Sequence, residues 1–223
     1  MRPPGRNDIV AALMERHGRT FSDELGIDLE KGTPSALFRW LCASLLFCAR
    51  IGSGIALAAA RALTENGWTT ARKMADATWE ERTRVLNRAG YARYDEKTSR
   101  MLADTSELLL EKYAGDLRKL RDAAERDPER ERTLLMEFKG IGKVGAEIFL
   151  REVQTVWTEL RPFADEAALK SAESLRLPTD ADSLSRLVPR KDFPRLLAAL
   201  VRSRLAKDQK AILAAAAEKH LVI

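Results

Sequence analysis

Nowhere does this chain alternate apolar and polar residues long enough to build a half-buried strand. Apolar residues instead return every three or four positions along most of its 223 residues. A period near 3.6 belongs to helices and a period of two to strands, so the pattern predicts an all-helical fold. A first helix is expected over about Asn7–His17, stopped by Gly18 and followed by a polar connection over 19–32. Thr33-Pro34 opens a strongly apolar helix to about Arg50, with threonine as cap and proline at the first helical position. The stretch "IGSG" breaks it, and a second apolar helix runs from near Ser53 to before Gly67.

Shorter helices are expected over Thr70–Ala77 and Thr78–Arg88, the latter ended by Gly90. A long amphipathic helix then carries Met101, Leu102, Leu108, Leu109 and Tyr113 on one stripe, and "DLRKLRDAA" forms a short one. Asp127-Pro128 opens a helix that brings Leu134, Leu135 and Phe138 into a glycine-bearing turn. Beyond that turn Ala146, Phe149, Leu150, Val153 and Trp157 share a face. After Pro162, helices are expected around Asp165–Leu175, Lys191–Ala206 and Asp208–Lys219.

Composition narrows the function classes. Hydrophobic residues make up 45% and charged residues 32%, as in a soluble globular protein with a substantial core. The net charge of +5 admits nucleic acid as a partner without requiring it. Two cysteines, Cys42 and Cys48, cannot form a disulfide framework or a four-cysteine cluster site, and read as buried thiols in a reducing cytoplasm. The only histidines, His17 and His220, stand at opposite ends, so no metal site is expected. "MRPPGRNDIV" lacks the apolar segment of a signal peptide. The apolar run from Ala36 to Leu63 contains Arg39, Arg50 and Arg61 and is split by Gly52 and Gly54, which favours buried helices over a bilayer span.

The stretch "MEFKGIGKVGAEIF", Met136–Phe149, carries the most specific pattern. Gly140 can adopt the positive φ of a tight reversal, and Ile141 can plug between the two helices. Gly142 lets the second helix begin close to another backbone with its first N–H groups facing outward, and Ala146 keeps the helices close. Lys139 and Lys143 add positive charge beside that helix start, a natural phosphate site. An ordinary helix–helix turn remains the plain alternative. The chain has no G-x-x-x-x-G-K-[ST] loop and no strand ahead of the turn, so phosphate loops of the nucleotide-binding kinds do not fit.

This turn resembles the helix-hairpin-helix of the endonuclease III-like DNA glycosylases, and the likeness in order and spacing extends over about residues 34–200. The family's early helix–loop–helix has a counterpart in Ala36–Leu63. Its G-Y/L-x-x-x-x-x-K segment before a long helix has one in "AGYARYDEKTSRML". About twenty residues past the hairpin the family places a catalytic aspartate, and here Phe163-Ala164-Asp165 falls at that distance. The resemblance implies an all-α fold of two helical domains with a lesion cleft between them. A six-helix domain would span 34–160, with the hairpin at about 130–157; residues 1–33 and 161–223 would form the second. The amides of about Gly140, Gly142 and Gly145 would hold a DNA phosphate with help from Lys143, often beside a bound monovalent cation.

Asp165 is the expected catalytic carboxylate, stabilising the cationic sugar and helping to deprotonate the attacking water. The same aspartate also suits a helix N-cap. Glu166 is its neighbouring competitor, and Glu147, on the hairpin's second helix, is a further one. Bifunctional relatives carry a nucleophilic lysine two residues after the second hairpin glycine. Here that residue is Val144, and Lys143 is rotated from it by about 100°. Base excision by activated water, without a strong lyase step, is therefore expected. The C-terminal "AAAAEKHLVI" has no cysteine, so no iron–sulfur cluster is expected. Arg50 or Ile51 is the candidate wedge for the gap left by a flipped base. Trp40, Tyr91 and Tyr94 are candidates for the base pocket, with Arg93 and Lys97 nearby; core packing is the simpler reading of Trp40. The implied partner is double-stranded DNA containing a damaged base, an alkylated purine being favoured. The implied setting is a monomer in the cytoplasm, or the nucleoid of a prokaryote. A DNA-binding protein that keeps the hairpin but lacks the chemistry is the alternative.

Overall fold

The computed structural model of the chain describes residues 4–219, and among these it is all-helical, with no strand. In chain order the helices are α1 Arg6–His17, α2 Phe21–Glu24, α3 Pro34–Phe47, α4 Ser53–Glu65, α5 Ala71–Asp76, α6 Trp79–Leu86 and α7 Asp95–Tyr113. They continue as α8 Leu117–Ala123, α9 Pro128–Leu135, α10 Lys143–Val153, α11 Glu166–Ser174, α12 Ala181–Ser185, α13 Phe193–Ala206 and α14 Gln209–Lys219. The cap signals sit where the sequence placed them. Thr33, Thr70 and Thr78 each accept a backbone N–H from the first turn of α3, α5 and α6. Asp127 does the same for α9, with Pro128 at its first position. None of these helices is long and apolar enough to cross a membrane.

The chain divides into two compact units. One is Leu25–Glu159; the other combines the N-terminal stretch up to Glu24 with the C-terminal stretch from Leu160. In the larger unit, α3 is buried along nearly its whole length, with Leu37, Trp40 and Leu41 completely shielded. α10 packs against it, and the indole of Trp40 donates to the Phe149 carbonyl at 3.1 Å. α5 and α6 pack on α7. Residues 25–33 belong to this unit and not to the terminal one expected from sequence. The supposedly polar connection buries Leu25, Ile27 and Leu29, and Arg39 of α3 donates to the carbonyls of Leu25 and Gly26.

The buried face of α7 is also more polar than its leucines suggested. Leu102, Leu109 and Tyr113 are buried, but so are Thr105 and Ser106, whereas Met101 and Leu108 are only half-buried. Ser106 donates to the Leu102 carbonyl one turn back. Thr105 reaches across to the glycine turn.

In the smaller unit α1 packs on α13 and α14, and α11 packs on α13. Arginines secure the segment after α1: Arg195 donates to the Gly18 carbonyl, while Arg202 donates to those of Arg19 and Thr20 and pairs with Glu24. His17 and Asp208 meet at 2.8 Å; His220 lies outside the described residues. The start of α13 falls at Phe193 because Arg190–Asp192 form a 3-10 turn.

Arg82 is the clearest buried anchor in the larger unit. It is 5% exposed and donates to the carbonyls of Met74, Ala77 and Ser99, tying the end of α5 to α7. Removing the guanidinium takes the charged donor from three buried carbonyls, of which Ser99 alone keeps a partner within its helix, each hydrogen bond to a charged donor being worth about 1.5–3 kcal/mol. Arg82→Met is expected to lower unfolding free energy by at least ~3 kcal/mol in urea titration.

Candidate nucleic-acid interface

α9 and α10 are joined by residues 136–142, and the turn is built from the inside. Leu135, Phe138, Ile141 and Ala146 are all at most 2% exposed. The Ile141 amide donates to the Phe138 carbonyl at 2.9 Å, closing the reversal. Gly140 has φ +89°, and a side chain there would sit 2.1 Å from Met101 Cε and 3.4 Å from Leu45 Cγ. Thr105 donates its hydroxyl to the Lys139 carbonyl at 3.1 Å, fixing the turn to α7. Sequence reading missed Thr105, since a threonine between Asp104 and Ser106 of an amphipathic helix carries no sign of facing inward.

What the turn leaves outside is equally definite. Lys139, Gly142, Lys143 and Val144 are exposed, Val144 by 59%. α10 begins with a glycine N-cap that supplies no side-chain acceptor, and the first N–H groups of an α-helix have no partners within the helix. Gly142 itself is extended (φ −91°, ψ −166°), and a side chain added there would meet no atom within 4 Å. The close approach expected of Gly142 toward another part of the protein is therefore absent. Gly145 is different: it is buried in the first turn of α10, and a side chain there would come within 2.8 Å of Cys48 Sγ.

The other candidates fall into distinct surroundings. Trp40 and Tyr91 are fully buried in the core of the larger unit, and the Tyr91 hydroxyl donates to the Leu46 carbonyl at 2.9 Å. Burial raises that hydroxyl to about 12. Neither ring is available to stack on a base, because both are spent on packing and on capping internal carbonyls. Tyr94 is half-buried, 6.4 Å from the Tyr91 ring, and the Arg93 guanidinium lies 5.3 Å from its centre. Lys97 is exposed, as is Arg50, while Ile51 is half-exposed. Glu147 pairs with Arg132 at 3.3 Å and with Lys143 at 3.9 Å.

Asp165 belongs to the smaller unit, where it is 3% exposed at the N-cap position of α11. Its side chain makes no cap hydrogen bond. Capping, the simple structural reason for an aspartate there, does not account for it. Glu166, beside it, is exposed and pairs with Lys170 one turn on.

No family model and no curated protein sequence matches the chain. Among solved structures it is similar to a trapped covalent intermediate of endonuclease III with DNA, an estranged-adenine complex. The two share 18% identity over 77% of this chain and 73% of that one, with a TM-score of 0.49. A likeness of that degree does not assign family or function.

Beneath the hairpin lies an unexpected carboxyl. Glu131 of α9 is fully buried, and neither of its oxygens has a hydrogen-bond partner of normal geometry among the described residues. Beside it, Arg121 grips Glu159 through two N–H groups at 2.5 Å each. Burial first, then the neighbouring Glu159, pushes the Glu131 carboxyl up to about 8. The folded state thus holds a proton that the unfolded chain releases near pH 4, and stability falls as pH rises toward 8. Glu131→Gln, neutral at every pH, is expected to flatten the loss of stability between pH 6 and 9 and to exceed the parent protein at pH 9. Equal pH slopes in denaturant titrations would show that Glu131 is already ionised.

Proposed function

We propose that the protein is a monofunctional DNA glycosylase, hydrolysing the bond between a damaged base and its sugar in duplex DNA. The observation that carries the reading is Gly142. Gly140 is demanded by backbone geometry and Gly145 by Cys48, but nothing in the chain's own packing calls for glycine at 142. A phosphate coming onto the start of α10 does call for it, since a bare backbone lets the oxygens reach the helix amides. Lys139 and Lys143 add charge at the same place, and such a contact positions DNA without reading its sequence.

A monovalent cation at the turn would add to that charge. Its ligands would be backbone carbonyls; those of Phe138 and Lys139 each accept one hydrogen bond already and keep a second acceptor site. The catalytic step is assigned to Asp165. As the C1′–N bond breaks and its electrons leave with the base, the carboxylate stabilises the cationic sugar. It takes a proton from the water whose oxygen bonds to C1′. Val144 at the position of the family's nucleophilic lysine supports hydrolysis over amine attack. Of the three aromatic candidates, two are core residues and only Tyr94 has an exposed portion. So sparse a provision suits a base whose bond is already weakened, and alkylated purines are the favoured class.

The test is a panel of duplexes, each bearing one lesion, incubated with the protein or with Asp165→Asn and then divided between hot alkali and no treatment. Strand scission only after alkali, reduced at least a hundredfold in Asp165→Asn, is expected for an alkylated purine. Scission without alkali would replace hydrolysis by a lyase reaction. DNA binding with no excision of any lesion would leave a binding protein that shares the hairpin.

A further inference from the structure

Gly145 and Cys48 lie 97 positions apart in the chain and meet where α10 packs against the end of α3. The site of a Cβ on Gly145 is 2.8 Å from Cys48 Sγ and 3.4 Å from two carbons of Ile141, the plug of the hairpin turn. Real Cβ atoms do not come so near, so the first turn of α10, the turn before it and the end of α3 are packed to a limit that only glycine meets. The sulfur donates to the Ser44 carbonyl at 3.0 Å, a contact it would lose in moving aside. Burial raises the thiol to about 11, which keeps it a neutral donor.

Cys48 caps α3 and leads directly into the loop before α4. Arg50, two residues on, is exposed and has no carboxylate paired with it among the described residues. Two residues of chain span at most about 7 Å, so Arg50 is tethered close to the exposed start of α10. Three arginines of this unit are committed within the fold, Arg121 to Glu159, Arg132 to Glu147 and Arg82 to buried carbonyls.

We propose that the Gly145–Cys48 contact is a positioning device that sets the loop after α3 at the depth where Arg50 grips the same DNA backbone as the start of α10. Arg50 is on this account a phosphate contact and not an intercalating wedge; Gly145 acts through Cys48 and touches no DNA with a side chain. The inference rests on the DNA-binding reading of the hairpin.

Anisotropy titrations of a labelled duplex over a range of salt concentrations test it. Arg50→Ala is expected to weaken binding about tenfold and to reduce the salt slope by about one, as for one lost phosphate contact. Gly145→Ala should cause a similar loss, Cys48→Ala a smaller one of about threefold because the loop loses its stop, and Cys48→Ala/Gly145→Ala should recover to within threefold of the parent because the added methyl takes the place of the sulfur. Arg50→Ala added to Gly145→Ala should cost little more, since the loop is already displaced. An unchanged affinity in Arg50→Ala, failure of the double variant to recover, or full additivity of Arg50→Ala and Gly145→Ala would overturn the proposal while leaving hairpin binding intact. If Gly145→Ala does not fold, the Arg50→Ala and double-variant results decide it. No binding by the parent protein overturns the DNA reading itself, and this inference with it.

Discussion

The left-handed turn at Gly140 is the constraint on which the hairpin depends. Its φ of +89° directs the backbone sharply back, and Met101 fills the space a side chain would have taken. Ile141 is thereby turned inward, 2% exposed, while Lys139 and Gly142 on either side are turned out. Thr105 then ties the Lys139 carbonyl to α7. One backbone conformation thus decides which residues of a seven-residue connection belong to the core and which are exposed. A tight turn of this sort is rigid, and a rigid array of amides need not be ordered when an anion arrives.

Charge is arranged around that turn with some economy. Glu147, in the second turn of α10, is held by Arg132 and Lys143, which limits its repulsion of an anion. Glu131, deeper on the first hairpin helix, is pushed toward its neutral form and contributes little negative field at neutral pH. Asp165, the carboxylate of the proposed chemistry, belongs to the other compact unit.

Much of the fold was legible because helical periodicity and caps are local. Thr33-Pro34, Thr70, Thr78 and Asp127-Pro128 announced four helix starts, and each side chain makes its cap bond. The roles of Gly140 and Ile141 were legible for the same reason. What was not legible depends on distant partners. The connection over 19–32 looked polar, yet its widely spaced apolar residues find a core in the fold. Nothing near Thr105, Gly145 or Glu131 in sequence indicates that they will meet Lys139, Cys48 and Glu159. Tyr91, beside a glycine, was a candidate for the base pocket, but in the core its hydroxyl donates to the carbonyl of Leu46, forty-five positions earlier.

The central claim is that the exposed start of α10 seats a DNA phosphate, and Gly142→Asn tests it most directly. Asparagine is at least as good an N-cap as glycine and has open space at this position, so thermal stability should be retained. Its side chain would nonetheless stand in the path of a phosphate. The account predicts an unchanged melting temperature, a tenfold or greater loss of duplex affinity, and a salt slope reduced by about one. Unchanged affinity and slope in a fully folded Gly142→Asn protein would contradict it, and would return Gly140-Ile141-Gly142 to the status of an ordinary turn between two helices.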